Sequence, residues 1–300
     1  MFKKILFVPL SNIGDAVMTL PTLIYLKKMY PSAKFDLICD ARSAEIFQFF
    51  PSINKIYIRD KKRGISYQFR FIRKIRKTNY DLAVDLKTDF LLWFLRAKRK
   101  IRKVNNKSLH SVEKHFISIS NNLKKIPDPK IYIPTKLQNN IKNIFPSNKG
   151  KTIALALGAN SNHKVWPTEN YVRLLKLLKI HFENIILIGS KNEMDKALLF
   201  KKLYTKKVFD FCGKLTLLET AYAIKKSDFF IGNDSGLGHI ASAVGTSSFT
   251  IFGEGNPKIY KPYGKKAHFF QNSKKNIKLI KVETIYRKIK RIFLCENEFK

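Results

Sequence analysis

Residues 228–253, DFFIGNDSGLGHIASAVGTSSFTIFG, set an apolar run, a polar glycine-rich turn, a small-residue run and a second apolar run in direct succession. That order reads as strand, turn, helix and strand, and strands joined through a helix lie parallel in a sheet that helices cover. The first apolar run, Phe229-Phe230-Ile231, gives way to Asn233-Asp234-Ser235-Gly236-Leu237-Gly238-His239. A helix that begins there directs unpaired N–H groups and the positive end of its dipole outward, which favours a phosphate or pyrophosphate. Gly236 and Gly238 would leave the backbone bare for close approach. Ser235 adds a hydroxyl, Asp234 a carboxylate and His239 a titratable ring. Helix capping by Asp234 or Ser235 accounts for the same residues.

A second turn of this kind stands near the start. The apolar strand Ile5 to Val8 passes through Ser11-Asn12-Ile13-Gly14-Asp15, and Val17, Leu20, Leu23, Ile24 and Leu26 then recur at helical intervals. The turn is a poor dinucleotide fingerprint, with one glycine where that pattern needs three. Asp15 would stand at the carboxyl end of a first strand, where open α/β sheets bind ligands. It is either a catalytic carboxylate or a helix cap.

The alternation continues along the chain. Strands are expected near 4–9, 35–39, 55–58 and 81–85, with helices near 15–30, 42–50 and 66–78 and a helical stretch at 89–97 that leads into a basic run. A helix is possible over 111–124, and the proline-broken segment 126–134 precedes a short helix in 135–150. The pattern then restarts as strand 152–157, helix 168–182, strand 185–188, helix 192–203, strand 208–210, helix 217–226, strand 229–231, helix 237–244 and strand 247–251. Two α/β halves follow, with domains expected at 1–148 and 149–282.

These elements together resemble glycosyltransferase family 9, the bacterial heptosyltransferases. The resemblance rests on L-S-N-I-G-D-A-V near the start and I-G-N-D-S-G-L-G-H-I-A-S-A-V-G-T near the end. Between them lie Ala156-Leu157-Gly158-Ala159 with His163-Lys164-Val165-Trp166-Pro167, then Ile185-Ile186-Leu187-Ile188-Gly189-Ser190 with Glu193, then Asp210-Phe211-Cys212-Gly213-Lys214-Leu215-Thr216 with Glu219. It implies a glycosyltransferase-B architecture: two Rossmann-like doubly wound domains facing across a cleft, with a C-terminal helix, 283–300, packing back on the first domain. The implied activity is inverting transfer of a heptose from ADP-heptose to a hydroxyl of the lipopolysaccharide inner core.

On that resemblance Asp15 is the base, and Ser11, Asn12 and Gly14 form the acceptor-side loop. Lys164, Glu193, Asn233, Asp234, Ser235, Gly236, Leu237, Gly238 and His239 hold the donor. Lys164 would balance phosphate charge, Glu193 would bind ribose or cap a helix, and His239 would donate to phosphate or buttress the turn. Asp234, a carboxylate beside pyrophosphate, would take sugar hydroxyls or lock the turn through backbone N–H groups. No D-x-D metal motif is visible, so neither metal nor cofactor is expected. Family members commonly carry Gly-Pro-Met-His where this chain has Gly236-Leu237-Gly238-His239, so another nucleotide sugar and another surface glycan stay open. A sugar-nucleotide-binding protein without turnover stays open too.

Net charge sharpens the question of partners. The chain carries 58 Lys and Arg against 22 Asp and Glu, a formal charge of +36. Part of this matches the Lys, Ile, Asn and Phe bias of an A·T-rich genome. Dense basic runs at 61–63, 70–77 and 96–103, interleaved with Tyr67, Phe69, Phe71, Trp93 and Phe94, would attract anionic lipid, phosphorylated acceptors or, nonspecifically, nucleic acid. No specific nucleic-acid motif is present. Without an apolar run long enough to span a bilayer or a signal-peptide core, the expected location is cytoplasmic, at the inner face of the inner membrane if the basic surface meets lipid. Cys39, Cys212 and Cys295 are odd in number and far apart, which suggests neither disulfide nor metal.

Overall fold

The computed structural model describes residues 2–87, 91–148, 150–178 and 181–297, with side chains as far as Ile292. The expected helix at 89–97 therefore begins outside the described residues, as does the side chain of Cys295. The chain divides into two compact units at Tyr132/Ile133.

The first unit runs β1 (Lys4–Val8), α1 (Ile13–Met29), β2 (Lys34–Cys39), α2 (Ala41–Phe47), β3 (Ile53–Ile58), α3 (Ile65–Ile75), β4 (Tyr80–Asp85), β5 (Ala97–Arg102) and α4 (Ser111–Phe116). Its five strands are parallel in the order β3-β2-β1-β4-β5. Strand order moves outward from β1 to β3 and then jumps back to β4, so right-handed crossovers put α1 and α2 on one face and α3 on the other. Leu6, Val8, Ile38 and Ala83 form a core with Phe71 and Ile75 of α3 and with Leu91, Leu92 and Leu95. β5 departs from the sequence expectation. AKRKIR has the look of a solvated run, yet its backbone pairs with β4 from Tyr80↔Ala97 to Asp85↔Arg102. Exposed lysines and arginines suit an edge strand because they discourage pairing with another chain.

His115 on α4 is 3% exposed, and neither ring nitrogen has a hydrogen-bond partner among the described residues. Burial, aided by the nearby Lys114, His110 and Lys103, pushes its pKa down to about 3. An unfolded histidine titrates near ~6.5, so the unfolded chain takes up the proton first. Stability from this residue is whole above that pH and drains as pH falls toward the folded pKa. Between pH ~7.5 and ~5 the expected loss is about 2 kcal/mol. Urea unfolding of the wild type and His115→Leu at both pH values checks this, since the variant should lose that much less.

The second unit holds α5 (Thr135–Lys142), β6 (Thr152–Ala156), α6 (Thr168–Leu178), β7 (Asn184–Leu187), α7 (Met194–Leu203), β8 (Phe209–Asp210), α8 (Leu217–Lys226), β9 (Phe229–Asn233), α9 (Gly236–Ala243), β10 (Ser247–Phe252), α10 (Pro257–Tyr260), β11 (Ala267–Gln271) and α11 (Val282–Asn297). Six parallel strands stand in the order β11-β10-β9-β6-β7-β8. β6, β7, β9 and β10 are buried at every position, as strands covered on both faces must be.

Two boundaries differ from the sequence reading. α5 belongs to the second unit: Ile141 is 1% exposed and Asn140 Nδ2 donates to Glu219 Oε1 at 3.1 Å. The domain expected to begin at 149 therefore begins at Ile133, within the proline-rich link. The terminal helix also packs within this unit. Val282, Ile285 and Ile289 recur at helical spacing and join Trp166, Tyr171 and Leu175 in one core.

Candidate functional site

In the second unit strand order reverses between β6 and β9, and the loops that follow these strands meet at their carboxyl ends. Ligands of open α/β sheets bind at such a point. Asn233, the last residue of β9, is wholly buried. Its Oδ1 accepts from the Trp166 backbone N–H at 3.0 Å and the Tyr171 hydroxyl at 2.9 Å. Its Nδ2 donates to the carbonyls of Leu157 at 3.0 Å and Gly158 at 3.3 Å. Every polar atom of this amide is engaged. The side chain of Asn233 is thus a brace between β9 and the loop after β6.

The brace fixes the loop that carries Lys164. Trp166 is 0% exposed, and its indole N–H donates to Ile280 O at 3.0 Å. Lys164, in a 3-10 turn two residues earlier, reaches Asp234 with Nζ 2.6 Å from Oδ2. The lysine side chain is 36% exposed and the aspartate 10%. Asp234 therefore neither caps α9 nor stands as a free carboxylate. The loop after β10 closes over it, where a Cβ on Gly255 would lie 2.5 Å from Asp234 Oδ2.

α9 begins at Gly236 after Ser235, whose side chain makes no cap bond. Ser235 Oγ is buried without a hydrogen-bond partner among the described residues. Beside it lie the N–H groups of the first turn, which a helix cannot satisfy internally. Gly236 and Leu237 are half-buried at this end, while His239 is 6% exposed. Gly238 packs closely: a Cβ there would lie 3.0 Å from Thr250 Oγ1 and 3.3 Å from Pro262 Cγ. Glu193 closes a capping box, its Oε2 accepting from Ser190 N at 2.7 Å and Ser190 Oγ at 2.6 Å. Its stem passes so near Gly158 that a Cβ there would lie 2.2 Å from Glu193 Cγ.

In the first unit the corresponding reversal lies between β1 and β4. Asp15, half-buried in the first turn of α1, accepts at Oδ2 from Asn12 Nδ2 at 2.9 Å. The Asn12 side chain makes no capping bond, and the helix starts on the backbone bond from Ala16 N to Asn12 O at 2.8 Å. Asn12 thus holds one oxygen of Asp15, and Gly14 lies half-buried between them. Ser11 hydrogen-bonds Asp40, which pairs with Lys87 at 3.0 Å. Burial alone would raise the Asp40 pKa; hydrogen bonds from Ser11 and Lys87 outweigh it and hold the carboxyl below its ordinary value. Lys61 is pushed down by burial and by the charges of Lys87 and Arg59. Burial drives the thiols of Cys39 and Cys212 up to about 12, which leaves them inert. Among the described residues, no group of three or more His, Cys, Asp or Glu could hold a metal ion.

The model of glycosyltransferase family 9 (heptosyltransferase) matches residues 92–290. The chain belongs to this family. It is 24% identical over 283 residues to lipopolysaccharide heptosyltransferase 3 of Escherichia coli, covering 83% of each. Against lipopolysaccharide heptosyltransferase 1 of Campylobacter coli it is 25% identical over 288 residues, covering 83% of this chain and 84% of that one. Among solved structures, the family 9 glycosyl transferase of Veillonella parvula superposes with a TM-score of 0.87 at 19% identity, covering 97% of each chain. E. coli ADP-heptose lps heptosyltransferase II gives 0.81 at 18% identity, covering 98% of this chain and 99% of that one. The fold is glycosyltransferase-B, with two parallel-sheet α/β domains.

The segment matched by the family 9 model contains Lys164, Glu193 and the whole 233–239 turn, and leaves Asp15 outside. Within the second unit of this glycosyltransferase, Lys164, Asp234 and Ser235 come together around the start of α9, while Asn233 and Glu193 support loops. Asp40 and Lys87 escaped the sequence reading. Their signal was of the kind that marked Asp15 and Asp234, a polar residue just past an apolar strand: Leu37-Ile38-Cys39-Asp40 and Val84-Asp85-Leu86-Lys87.

Proposed function

We propose that this glycosyltransferase moves a heptose from ADP-heptose to a hydroxyl of the lipopolysaccharide inner core, inverting the anomeric centre. The observation that carries the donor side is Ser235 Oγ, buried and without a hydrogen-bond partner among the described residues, at the start of α9 and next in the chain to Asp234, the residue that Lys164 pairs with. A diphosphate supplies acceptor oxygens to the hydroxyl and the first-turn N–H groups, and to the ammonium protons of Lys164 that Asp234 does not take. Asp234 shares its charge with Lys164, which removes the repulsion a free carboxylate would exert on that diphosphate. The leaving ADP is stabilised by these fixed donors, so the reaction needs no divalent ion. Asp15 takes the proton of the acceptor hydroxyl as that oxygen bonds to the anomeric carbon and the bond to ADP breaks. The E. coli and C. coli relatives are named as lipopolysaccharide enzymes, which supports this acceptor class. The acceptor is an anionic, lipid-linked glycan, and the protein meets it at the inner face of an anionic membrane. Among the described residues no helix is long and apolar enough to cross a bilayer.

Release of ADP from ADP-heptose, with a deacylated inner-core acceptor and EDTA, tests the reading. Acceptor-dependent release that persists in EDTA is expected. No release would remove this donor and acceptor pair and direct the search to other nucleotide sugars. Lys164→Met is expected to weaken ADP binding roughly 10- to 100-fold, the value of one charge-assisted hydrogen bond. Asp234→Asn, which leaves the lysine charged, should cost far less, and calorimetric titration with ADP compares the two.

A further inference from the structure

We propose that the outer face of α3 and of the 3-10 turn Leu91–Phe94 docks on an anionic lipid bilayer, with Ile65, Phe69, Trp93 and Phe94 entering the headgroup layer. This deepens the membrane reading above by naming the surface. α3 and the turn cover one face of the first sheet, since Phe71 and Ile75 share a core with Leu91, Leu92 and Leu95. Their opposite sides should be polar if they only met water. They are not: Ile65 is 76% exposed, Phe69 67%, Trp93 67% and Phe94 50%. Ile65 and Phe69 are one helical turn apart on the outer side, with Arg70, Arg73 and Arg76 exposed around them. An apolar stripe rimmed by basic residues is how a helix lies in a membrane interface.

Charge points to an anionic partner. Residues 59–103 carry sixteen Lys and Arg against four Asp. Asp85 is buried, Asp89 lies outside the described residues, Asp60 stands 3.7 Å from Arg63 and Asp81 3.0 Å from Lys98. Lys87 is taken up by Asp40, while Arg70, Arg73, Lys74, Arg76, Lys77, Arg96, Arg99 and Lys100 are exposed. The Arg102 guanidinium lies 4.8 Å from the Trp93 ring centroid, and that of Arg63 lies 5.0 Å from the Tyr67 centroid. Arginines stacked on interfacial rings can meet lipid phosphates while the rings sit among the glycerol groups. Nucleic acid would satisfy the charge but gives no reason to expose Ile65.

Tryptophan emission gives a direct test. The chain has two tryptophans, and Trp166 is 0% exposed, so a change on adding vesicles reports Trp93. The full chain is titrated with phosphatidylcholine vesicles with and without phosphatidylglycerol, with no donor or acceptor present. Expected results are a blue shift and co-sedimentation with the anionic vesicles only, weakened by salt. Ile65→Ser/Phe69→Ser should bind roughly tenfold or more weakly while melting like the wild type, because both residues are exposed. Glycerol phosphate should leave emission unchanged. Absence of binding to anionic vesicles, binding that the double variant does not weaken, or an equal blue shift with duplex DNA would each overturn the proposal. Transfer to a soluble deacylated acceptor is measured separately, so its failure is distinguishable from failure of docking.

Discussion

Asp15→Asn is expected to lower kcat by roughly 10²- to 10⁴-fold, the usual contribution of a positioned general base. The side chain keeps its volume and one oxygen to accept from Asn12 Nδ2, which lies 2.9 Å from Oδ2 in the native residue. What it loses is the second oxygen and the negative charge that can accept a proton. Helix α1 should be unaffected, because the carboxylate plays no part in capping it. ADP affinity should remain close to that of the wild type, since the proposed donor contacts lie in the second unit. Steady-state kinetics with ADP-heptose, beside calorimetry with ADP, separate the two effects. Turnover within about threefold of the wild type would place the base elsewhere and leave Asp15 a structural residue. Lost ADP binding would instead show that the variant disturbs more than the base.

Asn233→Asp replaces one NH₂ group by oxygen and is expected to destabilise the protein by about 3–5 kcal/mol at neutral pH. The new carboxylate would still accept from the Trp166 N–H and the Tyr171 hydroxyl. Its other oxygen would face the Leu157 and Gly158 carbonyls, 3.0 and 3.3 Å from the present nitrogen, with a buried charge and nothing to donate. Burial raises the pKa of Tyr171, so that phenol stays a neutral donor and cannot compensate. Protonation would let the carboxyl donate to one carbonyl, so the deficit should shrink as pH falls toward ~5. Urea unfolding of Asn233→Asp and Asn233→Ala at the two pH values checks both points. Only the aspartate variant should recover at the lower pH. A loss below about 1 kcal/mol would mean that the loop carrying Lys164 is held by other contacts. Since that loop also carries Trp166, ADP binding should weaken along with stability.

Much of the fold was legible because its signals are local. Ile153 to Ala156, Phe229 to Ile231 and Phe249 to Phe252 are buried strands in sequence and in structure, and the helices between them carry apolar residues at helical spacing. Parallel sheets followed from that alternation alone. The turns at 11–15 and 233–239 were legible too, because polar and glycine residues stand where apolar strands end. β5 was hidden because its charged side chains carry no strand pattern; pairing with the β4 backbone makes it a strand. α11 shows an apolar stripe in sequence, but a stripe does not name the surface it will meet, and the structure sets it against α6.

Two doubly wound parallel domains, the family and the turns that hold the polar residues were all readable from local patterns in the chain. Roles within those turns were decided by tertiary structure. Lys164 and Asp234 are 70 residues apart in the chain and 2.6 Å apart in space, and Lys87 lies 47 residues from Asp40 and 3.0 Å away. The side chain of Asn233 has its hydrogen-bonding capacity filled by four partners from the loop after β6 and from α6. The physical reason is common to all three: a side chain's propensity depends on its neighbours in sequence, whereas its hydrogen-bond and charge partners depend on where distant strands return.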